Sequence, residues 1–129
     1  SQLNKISTLL KDNKEKYNIL KNNLTNFEKR KLIKGGIPNY DTFIFFVKNF
    51  AQKKRILNII KKRQFNTKNL PDAIKWHCAS YWTHVLSNKE IKKIKISLKI
   101  LKKAIALPIF YKKSKNFYKR LANEINEIF

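Results

Sequence analysis

A chain of 129 residues, 43% of them apolar, is long enough for one domain with a core of its own and too apolar for general disorder. Thirty Lys and Arg against eight Asp and Glu give a formal charge of +22, far from the balanced surface of a free small domain, and point to residence on a polyanion whose condensed counterions the basic side chains displace. The single cysteine, Cys78, excludes an internal disulfide and a cysteine-rich zinc site, and no run of about eighteen apolar residues is present to span a bilayer.

The start of the chain lacks the apolar core of a secretory signal. With Asp12, Glu15 and no early Arg it does not read as a mitochondrial presequence either. Either a presequence has been removed or the gene is read out inside the compartment. Heavy use of Lys, Asn, Ile and Phe, with two Gly and no Met, looks like translation of an AT-rich genome, as found in organelles and some parasites.

Residues 3–32 read as the first helix. Leu3, Ile6, Leu10, Tyr17, Leu20, Leu24 and Phe27 alternate spacings of three and four, a heptad seam broken only at Asn13. The seam lies across its own domain or against a partner chain; the pattern leaves both open. Gly35-Gly36-Ile37-Pro38 ends it.

Residues 41–63 read as the second helix, capped by Asp41 or Thr42. Phe43, Ile44, Phe46, Val47 and Phe50 give it an aromatic face that Ile56, Leu57, Ile59 and Ile60 continue. Two basic clusters lie along it, Lys53-Lys54-Arg55 and Lys61-Lys62-Arg63. A strand over 43–47 is set aside because the apolar run continues too long and becomes too basic.

Residues 64–70 read as a polar loop. Pro71 then opens a third helix, to about Leu86, carrying Trp76, His77, Cys78, Tyr81, Trp82 and His84. Ser87-Asn88-Lys89-Glu90 matches a capping box and starts a fourth helix, which runs to Leu107 and stops at Pro108. On it Ile91, Ile94, Leu98, Leu101 and Ile105 fall within an arc of roughly 80°. Lys89, Lys92, Lys93, Lys95, Lys99, Lys102 and Lys103 fill the rest, one face for a core and one a comb of lysines. After a connector with Lys112 and Lys113, residues 114–129 read as a fifth helix with Phe117, Leu121, Ile125 and Ile128 on one side. Glu124 and Glu127 near its end oppose the helix dipole, so this end is expected to meet something basic.

The expected fold is all-α: a small irregular domain of about five helices with a long N-terminal helical arm. Its parts are an extension over 1–36, a basic core over 37–113 and a terminal helix over 114–129.

Catalytic chemistry finds little support. Gly35 and Gly36 are the only glycines, so there is no phosphate-cradling loop. His77, Cys78 and His84 have the donor types for a metal ion, but aromatic helix packing with incidental polar tips is the better reading. A Cys–His nucleophile needs Cys78 beside an imidazole, and adjacent helix positions point apart. No enzyme activity, cofactor or small-molecule substrate is expected. Trp76, Tyr81 and Trp82 either stack on unpaired bases or fill the core, and core filling is favoured.

From Leu86 through the capping box, Ser97-Leu98-Lys99 and on to Pro108, then Tyr111-Lys112, the sequence resembles the bacterial-type small-subunit ribosomal protein S-eighteen family, especially its mitochondrial members. That family has a capped turn and a basic amphipathic helix ending in an apolar run closed by Pro. Upstream, Asn39-Tyr40-Asp41-Thr42 and Phe45-Phe46-Val47-Lys48 are similar to its first helix. The chain departs from the pattern at Ser87, Ile91 and Ile100, where the family has Cys or a small residue, Gln and Arg.

The resemblance implies a small-subunit platform protein bound to ribosomal RNA and partnered with the S-six protein. Lys89, Lys92, Lys95, Lys99 and Lys102 would face phosphates, and Ile94, Leu98 and Leu101 the core. Together with the charge, it gives the expectation of a structural constituent of the mitochondrial ribosome, or of a plastid-type organelle. The RNA-binding set is Lys53, Lys54, Arg55, Lys61, Lys62, Arg63, Lys89, Lys92, Lys93, Lys95, Lys99, Lys102, Lys103, Lys112 and Lys113. The alternatives are a helical-repeat RNA-binding protein of an organelle and an accessory subunit of a mitochondrial membrane complex that docks through the N-terminal heptads.

Overall fold

A computed structural model describes residues 3–68, 74 and 78–129. It corrects the all-α expectation: the chain builds a three-stranded antiparallel sheet with helices packed on it, a mixed α/β fold. In chain order the elements are α1 (Leu3–Asn23), β1 (Glu28–Lys29), β2 (Thr42–Phe46), α2 (Phe50–Lys62), a 3-10 turn (Ala79–Tyr81), α3 (Asn88–Lys93), α4 (Lys95–Lys103), β3 (Ala104–Pro108) and α5 (Lys115–Asn126).

The helix expected over 41–63 is a strand followed by a helix. Thr42-Phe43-Ile44-Phe45-Phe46 is β-branched and aromatic, and its burial alternates, with Phe43 and Phe45 buried and the others half-buried. Asn49 then caps α2, its side-chain oxygen accepting from Gln52 N at 2.8 Å.

The helix expected over 87–107 is likewise divided. It breaks at Ile94 and again at Ala104, whose backbone is extended. Residues 104–108 pair with β2 in register, Phe43 opposite Leu107 and Phe45 opposite Ile105. Two causes favour the strand. Residues 104–109 are buried on nearly every side, as in a core strand, and Pro108 biases Leu107 away from helical backbone. Val47 N and Ile109 N donate to Lys103 O and Asp41 O, so the odd positions of β3 bond to β2 and Pro108 turns its donor-less nitrogen away from that ladder. On the other edge Lys68 N donates to Ala106 O at 2.8 Å. β1 is short and its edge is charged, through Glu28, Lys29 and Arg30, which guards it against further pairing.

The N-terminal helix ends at Asn23, not near residue 32. Its second half and the turn after it lie on the sheet: Tyr17 and Leu20 on the helix and Leu24 and Phe27 beyond it are buried, with Tyr17 edge-on to Phe43 at 5.1 Å and Phe27 edge-on to Phe45 at 5.2 Å. α5, capped by Ser114, packs Tyr118, Leu121, Ala122 and Ile125 against α1 and α2. The core therefore draws on 1–36, 37–113 and 114–129 together. Most of the third expected helix lies outside the described residues; its end, 79–86, is the 3-10 turn and further turns.

Phe65, in the expected polar loop, is a core residue. Gln64 takes a left-handed φ of 50° after α2, Phe65 N donates to Ile60 O and Gln64 N to Lys61 O. This is the Schellman ending of a helix with glutamine in glycine's place. It turns Phe65 inward, 3% exposed, against Phe117 and Tyr118.

Candidate nucleic-acid interface

Four of the eight acidic groups form ion pairs within the body of the fold. Asp12 pairs with Lys16, Glu15 with Lys115, Asp41 with Lys68 and Glu124 with Arg63. The last pair supplies the basic neighbour expected at the end of α5. Lys68 donates to Asp41 at 2.8 Å, and that hydrogen bond holds the carboxyl below its ordinary range. The hydrogen bond and charge of Lys115 lower Glu15 in the same way.

Residues 88–103 are different. The capping box is present: Glu90 N donates to Ser87 Oγ at 3.4 Å, and Ser87 N and Oγ donate to Glu90 Oε2 at 2.9 and 2.6 Å. The bonds from Ser87, side chain first and backbone second, lower the Glu90 pKa, so the one carboxylate of this segment is held at the cap. Lys89, Lys92, Lys93, Lys95, Lys99, Lys102 and Lys103 are all exposed, and none forms an ion pair among the described residues.

Neither α3 nor α4 contains a buried residue. The face expected to enter the core reaches it only at Ile105, already in β3; Ile91, Ile94 and Leu98 are half-buried and Leu101 is 42% exposed. Ile96 and Ile100, on another side of α4, are 70% and 50% exposed. The segment is thus an arm, joined to the sheet through β3 and touching the 3-10 turn through α3.

The sequence-predicted cations do not form one surface. Lys53 Nζ donates to Lys102 O at 2.7 Å, which joins α2 to the end of α4 and uses one of its three donors, and its partial burial lowers its pKa. Lys54 and Arg55 are exposed nearby on α2. Lys61 and Lys62 are exposed at the other end of α2, and Arg63 is held by Glu124, its Nε donating at 2.9 Å. Lys112 and Lys113 lie past the far end of β3, roughly 17 Å from Lys103 by strand length; Lys113 sits 4.8 Å from the Phe117 ring centre.

Two lysines outside that set matter. Lys16 is buried on α1, 2% exposed, and its i+4 spacing from Asp12 is the signal that reveals it. Lys48 lies 3.8 Å from the ring centre of Phe129, a contact between distant residues with no sequence signature.

Tyr81 and Trp82 are about 40% exposed, Trp76 and His77 lie outside the described residues, and His84 is exposed. Cys78 is buried with Sγ 3.0 Å from Ser80 Oγ. Among the described residues no cluster of His, Cys, Asp and Glu could hold a metal ion, and no helix is long and apolar enough to cross a membrane. In comparisons with protein families, curated proteins and solved structures, nothing matches this chain.

Proposed function

We propose that this chain binds the phosphate backbone of RNA as a structural, non-catalytic component of a ribonucleoprotein, with the small subunit of an organellar ribosome as the specific destination that the sequence resemblance implies. One observation carries the reading: an arm of seven exposed lysines that has no buried residue and, among the described residues, no acidic partner. Packing inside the chain gives that arm little reason to be helical and cationic. Phosphates neutralise it and release counterions.

The test is the salt dependence of RNA binding. Seven phosphate contacts give a slope of log K against log salt of about −6 on a duplex. Changing Lys92, Lys95 and Lys99 to Gln makes the slope shallower by about 3. A parent slope near −1, or a slope unchanged in the triple variant, refutes the reading. Sedimentation of the chain with the small subunit, the large subunit or neither then decides the destination.

A second reading, a domain docked on another protein, is favoured by the free half of α1. Ile6, Leu9 and Leu10 are 41–49% exposed there, beyond the part of the helix that enters the core. It predicts migration away from ribosomal RNA in the same gradient.

A further inference from the structure

Where α4 meets the end of β2 there is an open depression of about 540 Å³. Phe27, Phe46, Val47, Ile100 and Phe129 supply its apolar walls, and Lys48 and Lys103 stand among its lining against one carboxylate, Glu28, beside Asn26. The volume lies in the range of small-ligand sites. The frame is fixed: Val47 N donates to Lys103 O at 3.0 Å, and Phe129 rests edge-on against Phe27 at 5.9 Å. Ile100 is half-exposed and Phe129 is 56% exposed, so these walls meet water. Lys48 Nζ is already held over the Phe129 ring at 3.8 Å.

An occupant that suits these walls has a flat apolar face and carries negative charge. The lysine arm leads to the same place. On α4, Lys95, Lys99 and Lys103 follow one another at a helical spacing of four, their Cβ atoms about 5–6 Å apart, and Lys92 stands on α3 before the break at Ile94. A strand whose phosphates follow these amines arrives at the depression. A duplex keeps its bases stacked inside and presents none to it, whereas a single strand turns a base out freely. From this we infer that the depression takes the base of an unpaired nucleotide, which displaces Lys48 from the Phe129 ring and lies against Ile100 and Phe129, with its phosphate on Lys103 and the released Lys48. The inference rests on the RNA-backbone reading and adds to it a preference for single-stranded RNA.

The experiment uses the full chain, fluorescein-labelled oligouridylate, and a duplex RNA of equal phosphate number, compared by anisotropy at one salt concentration. Oligouridylate is expected to bind about tenfold tighter, the size of one base–aromatic stacking contact. Ile100→Ser and Phe129→Ala each remove that advantage and leave duplex binding within about twofold. Ile100→Ser changes a half-exposed position, and thermal melts of both variants confirm the fold. Equal affinity for the two RNAs, unchanged in both variants, overturns the nucleotide site and leaves the backbone reading standing. Failure of both RNAs to bind at low salt overturns the nucleotide site and the backbone reading together. Binding of an acidic amphipathic peptide, weakened by Ile100→Ser when neither RNA binds, assigns the depression to a protein partner and overturns the inference.

Discussion

Lys16 holds the N-terminal helix to the loop beyond β3. Its side chain is 2% exposed, and its ammonium donates to Asp12 Oδ2 at 2.5 Å, Phe110 O at 3.1 Å and Tyr111 O at 3.0 Å, so all three donors are used. Lys16→Met keeps most of the stem and removes the charge, leaving the Asp12 carboxylate and the Tyr111 carbonyl without it, while Phe110 O keeps its bond from Lys113 N at 3.2 Å. Each charge-assisted bond contributes about 1.5–3 kcal/mol, but removing the ammonium also recovers its own desolvation cost. Removing one partner of a buried pair costs about 3–5 kcal/mol in total. Asp12 is 24% exposed and rehydrates in part, which places this case near 3 kcal/mol. Against a total stability of about 5–15 kcal/mol that is a large loss, equivalent to a melting point lower by roughly 10 °C. Urea unfolding followed by far-UV circular dichroism measures it, with the slope m unchanged. The double variant with Asp12→Asn should recover about 1 kcal/mol relative to additivity, because the orphaned carboxylate is gone. A Lys16→Met chain within about 0.5 kcal/mol of the parent would show that the clasp contributes nothing.

Gln64 adopts the left-handed conformation at the end of α2, which costs a non-glycine residue about 1 kcal/mol. Gln64→Gly should therefore raise the melting temperature by about 3 °C, and a lower melting temperature would refute the assigned strain. The depressed carboxyls set the acid response. The folded pKa of Asp41 lies below its unfolded value because Lys68 donates to it, so its stabilising effect is complete above the unfolded pKa and is lost as pH falls through the folded one. Stability measured from neutral pH downward should be flat to about pH 5 and decline below about pH 4; Asp41→Asn should decline less steeply, and a parallel curve would remove Asp41 from the account.

Local chemistry was legible where it decided structure locally. Ser87 and Glu90 cap as their spacing says, Ser114 starts α5, and Leu121 and Ile125 are buried as the periodicity requires. The two long strands were not legible, for a shared reason. β2 is apolar on both faces, with Thr42, Ile44 and Phe46 half-buried behind Phe43 and Phe45, so its period of two is hidden inside an apolar run that Val47 and Phe50 extend in sequence. Phe50 belongs to the next helix and is 79% exposed. β3 follows a helix whose three-four spacing happens to reach Ile105, which masks the local bias from Pro108, and its partner strand lies some sixty positions earlier. The candidate site divides in the same way. Exposure of the seven lysines follows from their spacing on a helix. The bond of Lys53 to Lys102 O and the pairing of Arg63 with Glu124 depend on contacts across the fold.

Charge and stability are separable in this chain because they sit on different parts of it. Four carboxylates tie α1, α2, α5 and the loop after α2 into the body, each neutralising one cation where the fold needs it. The arm keeps one carboxylate, held at the cap, against seven lysines. Its apolar side is only half covered, so its helices gain little from the core and are shaped by capping and by the anchor at β3. AT-rich drift would scatter surplus lysine over every exposed position and would spare no particular segment of its acids. A drifted surface also has no need of a cap that sequesters the one local glutamate. An arm that starts at a capping box, runs on an uncompensated lysine row and ends beside an apolar depression is the arrangement that phosphate binding explains with the fewest separate causes.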